Sequence, residues 1–393
     1  MPKQQSLDEF TAGKLRVLEK RNLRRHIVST EMVDAVQVIR DGQQFVSFCG
    51  NDYLGLTQHP KIKEAAIAAT EKFGVGSGAS RLVTGSHPLF DELEAKLARL
   101  KGTEDAVVMG SGYLTNMGVL PTLIGAQDAI IVDELSHACI LTGSHLSGSR
   151  EYIYRHNDLD HLKELLTENR SNHRNCLIVT DGVFSMDGDL APVKELLEIA
   201  DMYDAWLMTD DAHGIGVVGG GRGSCFVGGQ HLKVPLQMGT LSKAIGSYGG
   251  YLCASRPVVD FIRTRCRTLI YSTGLSPASV AAAIAAIDLI EADPEFAALP
   301  LRKAQDFTSA VGMPAAASPI VPIILGDTER TMSAARLLEE QDLLVVAIRP
   351  PTVPIGKARL RITFSAAHDD QDIARLADIM KQILSQQEEN RGD

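Results

Sequence analysis

The spacing of apolar positions changes along the chain and predicts an N-terminal segment distinct from the rest. The first ~25 residues alternate charged and apolar positions at helical spacing. The candidate contacts of this helix are Leu15, Val17, Leu18 and Leu23. Two short apolar runs, 35–39 and 44–48, then flank Asp41-Gly42, a dipeptide typical of tight hairpin turns. The segment is therefore predicted to be a helix followed by a hairpin.

From about residue 60, short apolar runs alternate with helical stretches. The runs have the length and bounding residues of buried strands, and they lie at 105–109, 129–132, 176–180, 206–209 and 249–254. Helical stretches such as 192–203 supply the crossovers, and the alanine-rich stretch 279–290 is typical of a buried helix. This alternation predicts an α/β fold in which helices flank a mostly parallel sheet.

Beyond the alanine-rich helix the pattern predicts a smaller α+β region. Strands are expected at 320–325 and 359–364, a closing helix at 370–385, and a disordered tail at 386–393. The predicted domains are an N-terminal helix and hairpin segment at 1–58, a large domain at 59–290 and a small C-terminal α+β domain at 291–393.

Composition narrows the function classes without choosing one. A net charge of −10 over 393 residues argues against a general nucleic-acid surface. The N-terminus lacks the apolar core of a signal peptide, and the longest apolar stretch is too short to span a membrane. Six scattered cysteines lack the paired spacing of a zinc or redox motif. A cytoplasmic protein without a metal site is expected.

One lysine and an upstream acid carry the main chemical signal. Lys243 lies in a glycine-flanked turn, thirty positions after an apolar run that ends in Asp210, Asp211 and His213. This pairing suits pyridoxal 5'-phosphate (PLP), whose aldehyde needs an amine and whose pyridinium nitrogen needs an anion. Adjacent strand residues point to opposite faces, and Asp210 best continues the alternation into the cofactor. Asp211 would then cap the turn, and His213 either contacts the cofactor or is a structural turn residue.

Further polar residues follow other predicted strands. Gly112 lies between a strand and a helix, where backbone N–H groups suit a phosphate, and Thr240 adds a hydroxyl. His137 and Ser185 also follow strands, and the carboxyl ends of parallel strands converge on one crevice. These residues are therefore expected to meet His213 at a common site.

Arg359 and Arg361 share one face of a C-terminal strand. A guanidinium binds a carboxylate through two parallel hydrogen bonds, so one of the two is a candidate for an amino-acid carboxylate. The other is expected to be an exposed strand arginine.

Six motifs, in order along nearly the whole chain, resemble those of the α-oxoamine synthase family of fold-type I PLP-dependent transferases. They are Asn51-Asp-Tyr-Leu-Gly-Leu56, Gly76-Ser-Gly-Ala-Ser-Arg81, Thr84-Gly-Ser86, Asp210-Asp-Ala-His-Gly214, Gly239-Thr-Leu-Ser-Lys-Ala244 and Tyr271-Ser-Thr273. The family often has glycine before the lysine, where this chain has Ser242. The segments 347–354 and 359–363 favour a member that condenses L-alanine with an acyl thioester and releases CO2. Members with another amino acid remain an alternative.

The resemblance also implies residue roles. Lys243 would hold PLP as a Schiff base and move the α-proton, Asp210 would pair with the ring nitrogen, and His137 would stack on the ring. The other implied contacts are Ser185 and His213 near the phenolic oxygen; Gly112, Tyr113 and Thr240 at the phosphate; Arg361 at the alanine carboxylate; and Arg24, Asn51 and Thr352 at the substrates. Family members are homodimers, in which Ser272 and Thr273 would reach the phosphate of the partner's cofactor.

Two other classes fit the sequence less well. A PLP-free binding protein on the same scaffold would not need both Lys243 and Asp210. A nicotinamide-dependent oxidoreductase would be expected to show Gly-x-Gly-x-x-Gly after its first strand, and no such motif occurs there.

Overall fold

The computed structural model describes residues 5–21 and 23–389. Its helices are α1 (Leu7–Lys20), α2 (Pro60–Phe73), α3 (Leu89–Lys101), α4 (Gly112–Leu123), α5 (Ala138–Ser147), α6 (Leu159–Asn169), α7 (Val193–Met202), α8 (Arg256–Arg265), α9 (Arg267–Ile270), α10 (Pro277–Ala292), α11 (Pro294–Ala310), α12 (Thr328–Glu339) and α13 (Asp370–Glu389). Its strands are β1 (Glu31–Met32), β2 (Gln37–Arg40), β3 (Gln43–Ser47), β4 (Asp105–Met109), β5 (Ala129–Asp133), β6 (Arg150–Tyr154), β7 (Cys176–Asp181), β8 (Trp206–Asp210), β9 (Phe226–Val227), β10 (Gln230–His231), β11 (Leu236–Thr240), β12 (Gly250–Ala254), β13 (Ile320–Gly326), β14 (Leu343–Leu344), β15 (Val346–Ile348) and β16 (Ala358–Thr363).

A seven-stranded sheet forms the centre, in the order β4-β12-β11-β8-β7-β5-β6. Its strands run parallel except β12, which is antiparallel to β11 and to β4. Apolar side chains from both faces pack into separate clusters against the flanking helices, because a sheet covered on both sides must be apolar on both. The predicted fold class is confirmed.

Two strands of the seven-stranded sheet, β11 and β6, were not predicted. In β11, Gln237 and Gly239 interrupt the apolar run, although every residue of the strand is buried. Gly239 is needed because a Cβ there would lie 2.3 Å from the hydroxyl of Tyr251 on the neighbouring strand. The edge strand β6 is only partly buried and therefore carries charged residues that hide its pattern.

The N-terminal hairpin forms as predicted. Asp41 and Gly42 both have positive φ, 49° and 83°, which a two-residue turn of this kind requires. The other edge of β3 pairs in parallel with β14, so the hairpin shares a sheet with the C-terminal region. The domain boundaries at residues 58 and 290 stay a prediction.

The predicted contacts of the first helix are wrong for Leu15, Val17 and Leu18, whereas Leu23 lies beyond the helix and is half-buried. Helix α1 begins with a capping box between Ser6 and Glu9, but it buries no side chain, and Leu15, Val17 and Leu18 are exposed. None of the side chains of α1 belongs to an apolar cluster of the described residues. Among the described helices, none combines the length and apolar character that a membrane crossing needs.

The small α+β region confirms both predicted strands and the closing helix. Strands β13, β16 and β15 form an antiparallel sheet, and α11, α12 and α13 pack against it around a separate apolar cluster. The predicted disorder of 386–389 is wrong, because α13 continues to Glu389 through good helix formers. The remainder of that predicted tail, 390–393, lies outside the described residues.

Candidate active site

Lys243 lies three residues after β11, in a turn beside the carboxyl ends of β7 and β8. Its Nζ is 2.9 Å from Nε2 of His213. Burial lowers the pKa of Lys243, while the charges of Asp210 and Asp181 oppose the shift. A lowered pKa increases the fraction of free amine, which is the form that attacks an aldehyde.

His213 connects the lysine to a tyrosine that the sequence analysis did not select. Its Nδ1 is 2.7 Å from the hydroxyl of Tyr53, and that hydroxyl is 3.4 Å from Nη2 of Arg361. Burial, reinforced by the charge of Lys243, holds the pKa of His213 well below its ordinary value, so the ring is neutral. A line of hydrogen-bonded groups therefore joins Arg361 to Lys243. Tyr53 lies in the motif that begins at Asn51, from which only Asn51 was selected as a site residue.

Asp210 and Asp211 face opposite directions, as strand alternation predicts. Asp210 is buried at the end of β8, and its two oxygens accept hydrogen bonds from Nδ2 of Asn116 at 2.7 Å and from N–H of Ala212 at 2.9 Å. Asp211 forms a fully buried ion pair with Lys101, Nζ to Oδ2 2.6 Å. The expectation that Asp211 caps the turn is wrong, because Oδ2 binds Lys101 and Oδ1 accepts the backbone N–H of Ser224 at 2.9 Å.

His137 is the N-cap of α5 and lies close to the Asp210 network. Its N–H donates to Oδ2 of Asp181 at 2.9 Å, and its Nδ1 is 2.8 Å from Sγ of Cys139. The amide of Asn116 is 3.1 Å from the same sulfur. Asn116 and Cys139 therefore connect His137 to Asp210, and no sequence signal had selected either one.

The start of α4 forms a narrow cradle beside Thr240. Gly112 is the first helical residue, and a Cβ there would lie 3.2 Å from Cβ of Thr240. The Thr240 hydroxyl is 2.8 Å from that of Ser242, and Tyr113 is half exposed at the rim. Unpaired N–H groups at a helix start attract an anion, so this cradle suits a phosphate.

Both strand arginines are buried, so the expectation that one would be exposed is wrong. Arg359 forms an ion pair with Asp187 and donates to the carbonyl of Met186 at 3.1 Å. Arg361 donates from Nε to the carbonyl of Ser185 and from Nη2 to Oδ1 of Asn51 at 3.2 Å. The reason is the loop after β7, which covers the face of the strand that carries both side chains.

The remaining predicted site residues lie further apart. Arg24 pairs with Glu19 on the surface, whereas its neighbour Arg25 places Nη2 3.4 Å from the hydroxyl of Thr352. Ser272 and Thr273 line a narrow cavity beside Gly110 on the same chain, and Thr273 forms an isolated bridge with Ser80. The structure therefore joins Arg25, rather than Arg24, to Thr352.

The residues present fit PLP. Lys243 offers an amine of lowered pKa, Asp210 a buried carboxylate, and the Gly112 cradle a phosphate subsite. The neutral His213 lies between them and the buried Arg361. Amine, carboxylate and anion cradle are the three groups that this cofactor requires.

Comparison with known proteins agrees with this geometry. The model of the class I and II aminotransferase family matches residues 43–380. An 8-amino-7-oxononanoate synthase from Beijerinckia indica is 55% identical over 379 residues, 96% of this chain and 98% of its own. One from Maricaulis maris is 55% identical over 379 residues, 96% and 97% of the two chains. A solved structure of SPT with its PLP internal aldimine has a TM-score of 0.89 and 27% identity, covering 98% of this chain and 99% of its own.

The chain therefore belongs to the class I and II aminotransferase family, within the PLP-dependent α-oxoamine synthases. Over nearly its whole length it is similar to the 8-amino-7-oxononanoate synthases.

Proposed function

We propose that this protein condenses L-alanine with a pimeloyl thioester, releasing CO2 and the thiol carrier and forming 8-amino-7-oxononanoate for biotin synthesis. The similarity to synthases of that name supports the proposal. The observation that supports it most is the hydrogen-bonded line from Arg361 through Tyr53 and His213 to Lys243, along which a carboxylate receptor and an amine base would lie close together.

The substrate carboxylate would bind the guanidinium of Arg361. Nε of Arg361 donates to the carbonyl of Ser185 and Nη2 donates to Asn51 and Tyr53, so Nη1 would be the group that faces the ligand. A charge-assisted pair of this kind fixes both position and orientation. It would therefore aim the Cα–H bond, and later the Cα–carboxylate bond.

Proton movement would be the task of Lys243 and its neighbours. When bound, PLP supplies an electron sink for the charge that develops at Cα. Lys243 Nζ would remove the α-proton and return a proton after CO2 is lost. The Asp210 carboxylate would hold a proton on the ring nitrogen, His213 would donate toward the phenolic oxygen together with Ser185, and His137 would cover one face of the ring.

We infer a homodimer with shared sites. Ser272 and Thr273 of one copy would reach the phosphate held by Gly112, Tyr113 and Thr240 of the other. A hollow of about 640 Å³ adjoins this segment, and its lining includes the exposed side chains Leu146, Phe261 and Tyr271. Exposed apolar surface around a polar motif is typical of an interface.

The dimer can be tested by mixing two inactive variants, Lys243→Ala and Thr273→Val. If each site takes its lysine from one copy and its threonine from the other, a mixed dimer contains one intact site and regains activity. Mixtures that stay inactive although mixed dimers are detected would contradict the shared site.

The acyl substrate would lie near Thr352 and the Arg24-Arg25 segment, with either CoA or a carrier protein as the donor. We place the enzyme in the cytoplasm, where its six free cysteines would remain reduced.

The function can be tested with the purified holoprotein. Alanine, glycine and serine would each be assayed against pimeloyl, acetyl, succinyl and palmitoyl thioesters, with CO2 release as the readout. Alanine with a pimeloyl thioester should give the highest kcat/KM. A preference for serine with a palmitoyl thioester, or for glycine, would indicate a sister activity such as serine palmitoyltransferase, glycine C-acetyltransferase or 5-aminolevulinate synthase.

The lysine assignment has its own test. Borohydride should fix the cofactor to the wild-type protein and to Lys233→Ala, which changes an exposed lysine at the other end of β11. It should not fix it to Lys243→Ala. An adduct that persists on another lysine of that variant would contradict the assignment.

A further inference from the structure

The loop at residues 184–189, which we call the Ser185 loop, is closed by its own backbone. Phe184 N–H donates to the carbonyl of Asp189 at 3.0 Å, and Gly188 N–H donates to the carbonyl of Phe184 at 2.8 Å. Both arginines of β16 bind the tip of the loop. Arg361 donates to the carbonyl of Ser185, and Arg359 donates to the carbonyl of Met186 and pairs with the carboxylate of Asp187. The guanidinium of Arg361 is therefore oriented by this loop.

The tip also fits tightly against the small region. Gly188 has φ of +72°, and a Cβ there would lie 2.1 Å from the carbonyl oxygen of Ile320. Its own carbonyl accepts a hydrogen bond from the Ser318 hydroxyl at 2.7 Å. Because the tip is fixed to β13 and β16, any movement at the base of the loop would be transmitted to these strands.

The base of the loop is held by His156. Its Nε2 donates to Oδ2 of Asp189 at 2.7 Å, and its Nδ1 donates to Oδ1 of Asp133 at 3.0 Å. Asp133 is fully buried at the end of β5, in the rigid central sheet. The edge of the His156 ring meets Phe184, with 4.4 Å between the ring centroids. Asn157 adds a second donor to Asp189 at 3.1 Å.

The charge state of His156 suits this double contact. Burial acts to lower the pKa of His156, but hydrogen bonds and charges from Asp133 and Asp189 outweigh burial and raise the pKa to about 10. At neutral pH the ring is an imidazolium, and both ring N–H groups donate. A neutral ring could donate to only one of the two carboxylates.

We propose that His156 is a positioning residue for the amino-acid carboxylate: it clamps the base of the Ser185 loop to β5 and thereby fixes the carbonyl that orients Arg361. The proposal rests on the proposed role of Arg361. His156 contacts Asp133, Asp189 and Phe184 and acts through the backbone of the loop, so its effect would be on binding geometry.

The test compares His156→Gln with His173→Gln. The control changes a histidine whose ring contacts the hydroxyl of Tyr152 rather than the Ser185 loop. L-alanine is titrated into each holoprotein, and the change in the visible spectrum of the bound cofactor gives the affinity. His156→Gln loses one charge-assisted contact, and the Ser185 loop and Arg361 would then be misplaced. Alanine binding should weaken about tenfold as a result. PLP affinity should stay within about twofold of wild type, and His173→Gln should match wild type throughout.

A second readout needs no substrate. Amide hydrogen exchange at Phe184 and Gly188 should be faster in His156→Gln, because the base of the loop is released. Asp189→Asn, which changes the half-exposed partner, should alter both readouts in the same direction and provides a test if His156→Gln does not fold.

The outcomes separate the two proposals. The positioning role of His156 would be overturned if His156→Gln left alanine affinity unchanged, or lowered alanine and PLP affinity equally. The proposed function would survive that result if Arg361→Lys still weakened alanine binding. If Arg361→Lys also titrates as wild type, the carboxylate site of the proposed function is wrong, and the role of His156 falls with it.

Discussion

Replacing Lys101 by methionine should destabilise the protein more than the loss of an ordinary surface charge. Lys101 and Asp211 are both 0% exposed, and Lys101 Nζ also donates to the carbonyl of Arg222 at 2.7 Å. Burial disfavours the ammonium, but Asp211 outweighs burial and raises the pKa of Lys101 above its ordinary value. In Lys101→Met the carboxylate of Asp211 would remain buried without its cation.

The expected magnitude follows from that uncompensated charge. Removing one partner of a buried ion pair costs about 3–5 kcal/mol, or roughly 100- to 5,000-fold in the unfolding equilibrium. The same helix supplies the control, because Lys96 pairs with Asp288, whose side chain is 53% exposed. Lys96→Met should cost less than about 1 kcal/mol.

Urea unfolding, followed by circular dichroism at fixed protein and PLP concentrations, would measure both changes, since bound ligand adds to apparent stability. Lys101→Met combined with Asp211→Leu should recover most of the loss, because an apolar pair can replace a buried ion pair. The reasoning fails if the free energies of unfolding of Lys101→Met and Lys96→Met differ by less than about 1 kcal/mol, the value of a surface ion pair. The carboxylate of Asp211 would then not be an uncompensated buried charge.

Three further predictions concern the site and its loop. Asp210→Asn should retain PLP but lose turnover by about 100-fold or more, since the ring nitrogen loses its anion; near-normal turnover there, with Asp211→Asn inactive, would reverse the choice between them. Arg361→Lys should weaken alanine binding about 10- to 150-fold, with PLP affinity near normal, because the planar fork is lost; an effect confined to Arg359→Lys would contradict this placement. The pKa of His156 is raised from 6.5 to about 10, so its contribution to the stability of the folded protein is complete below pH 6.5 and is lost as pH rises through 10. The difference in Tm between wild type and His156→Gln should therefore shrink over that range. A constant difference would refute the charged contact.

Local sequence patterns were sufficient for much of the fold. The strands at 105–109, 176–181 and 250–254 are short, apolar and bounded by turns, and their buried positions explain that pattern. Strand β11 was not predicted because Gln237 and Gly239 interrupt its apolar pattern. These two residues fit the strand only through contacts with Tyr251 and other residues outside it. A glycine that makes room for a neighbouring strand looks like a turn signal when read alone.

The site was predictable where a residue follows its own strand. Asp210 is the last residue of β8 and His137 follows β5 by four residues, so their convergence at one end of a parallel sheet follows from topology. Lys101 and Arg361 acquire their environments through contacts with residues more than 100 positions away, and only the folded chain shows that both are buried. His156 lies in a polar run that follows β6, and a polar run after a strand indicates a possible site residue. The signal was not used because β6 itself was not predicted.

The parallel pair between β3 and β14 also constrains the order in which the protein can form during synthesis. The hairpin is synthesised before its partner Leu343, which lies about 300 residues later, a delay of roughly 15–60 s at translation rates of about 5–20 residues per second. Throughout that interval the edge of β3 has an unfilled row of backbone donors and acceptors. Asn51 and Tyr53, which follow the hairpin, likewise wait for Arg361. A nascent chain could therefore recruit a chaperone at this edge, and a stalled one would expose it to pairing with other chains.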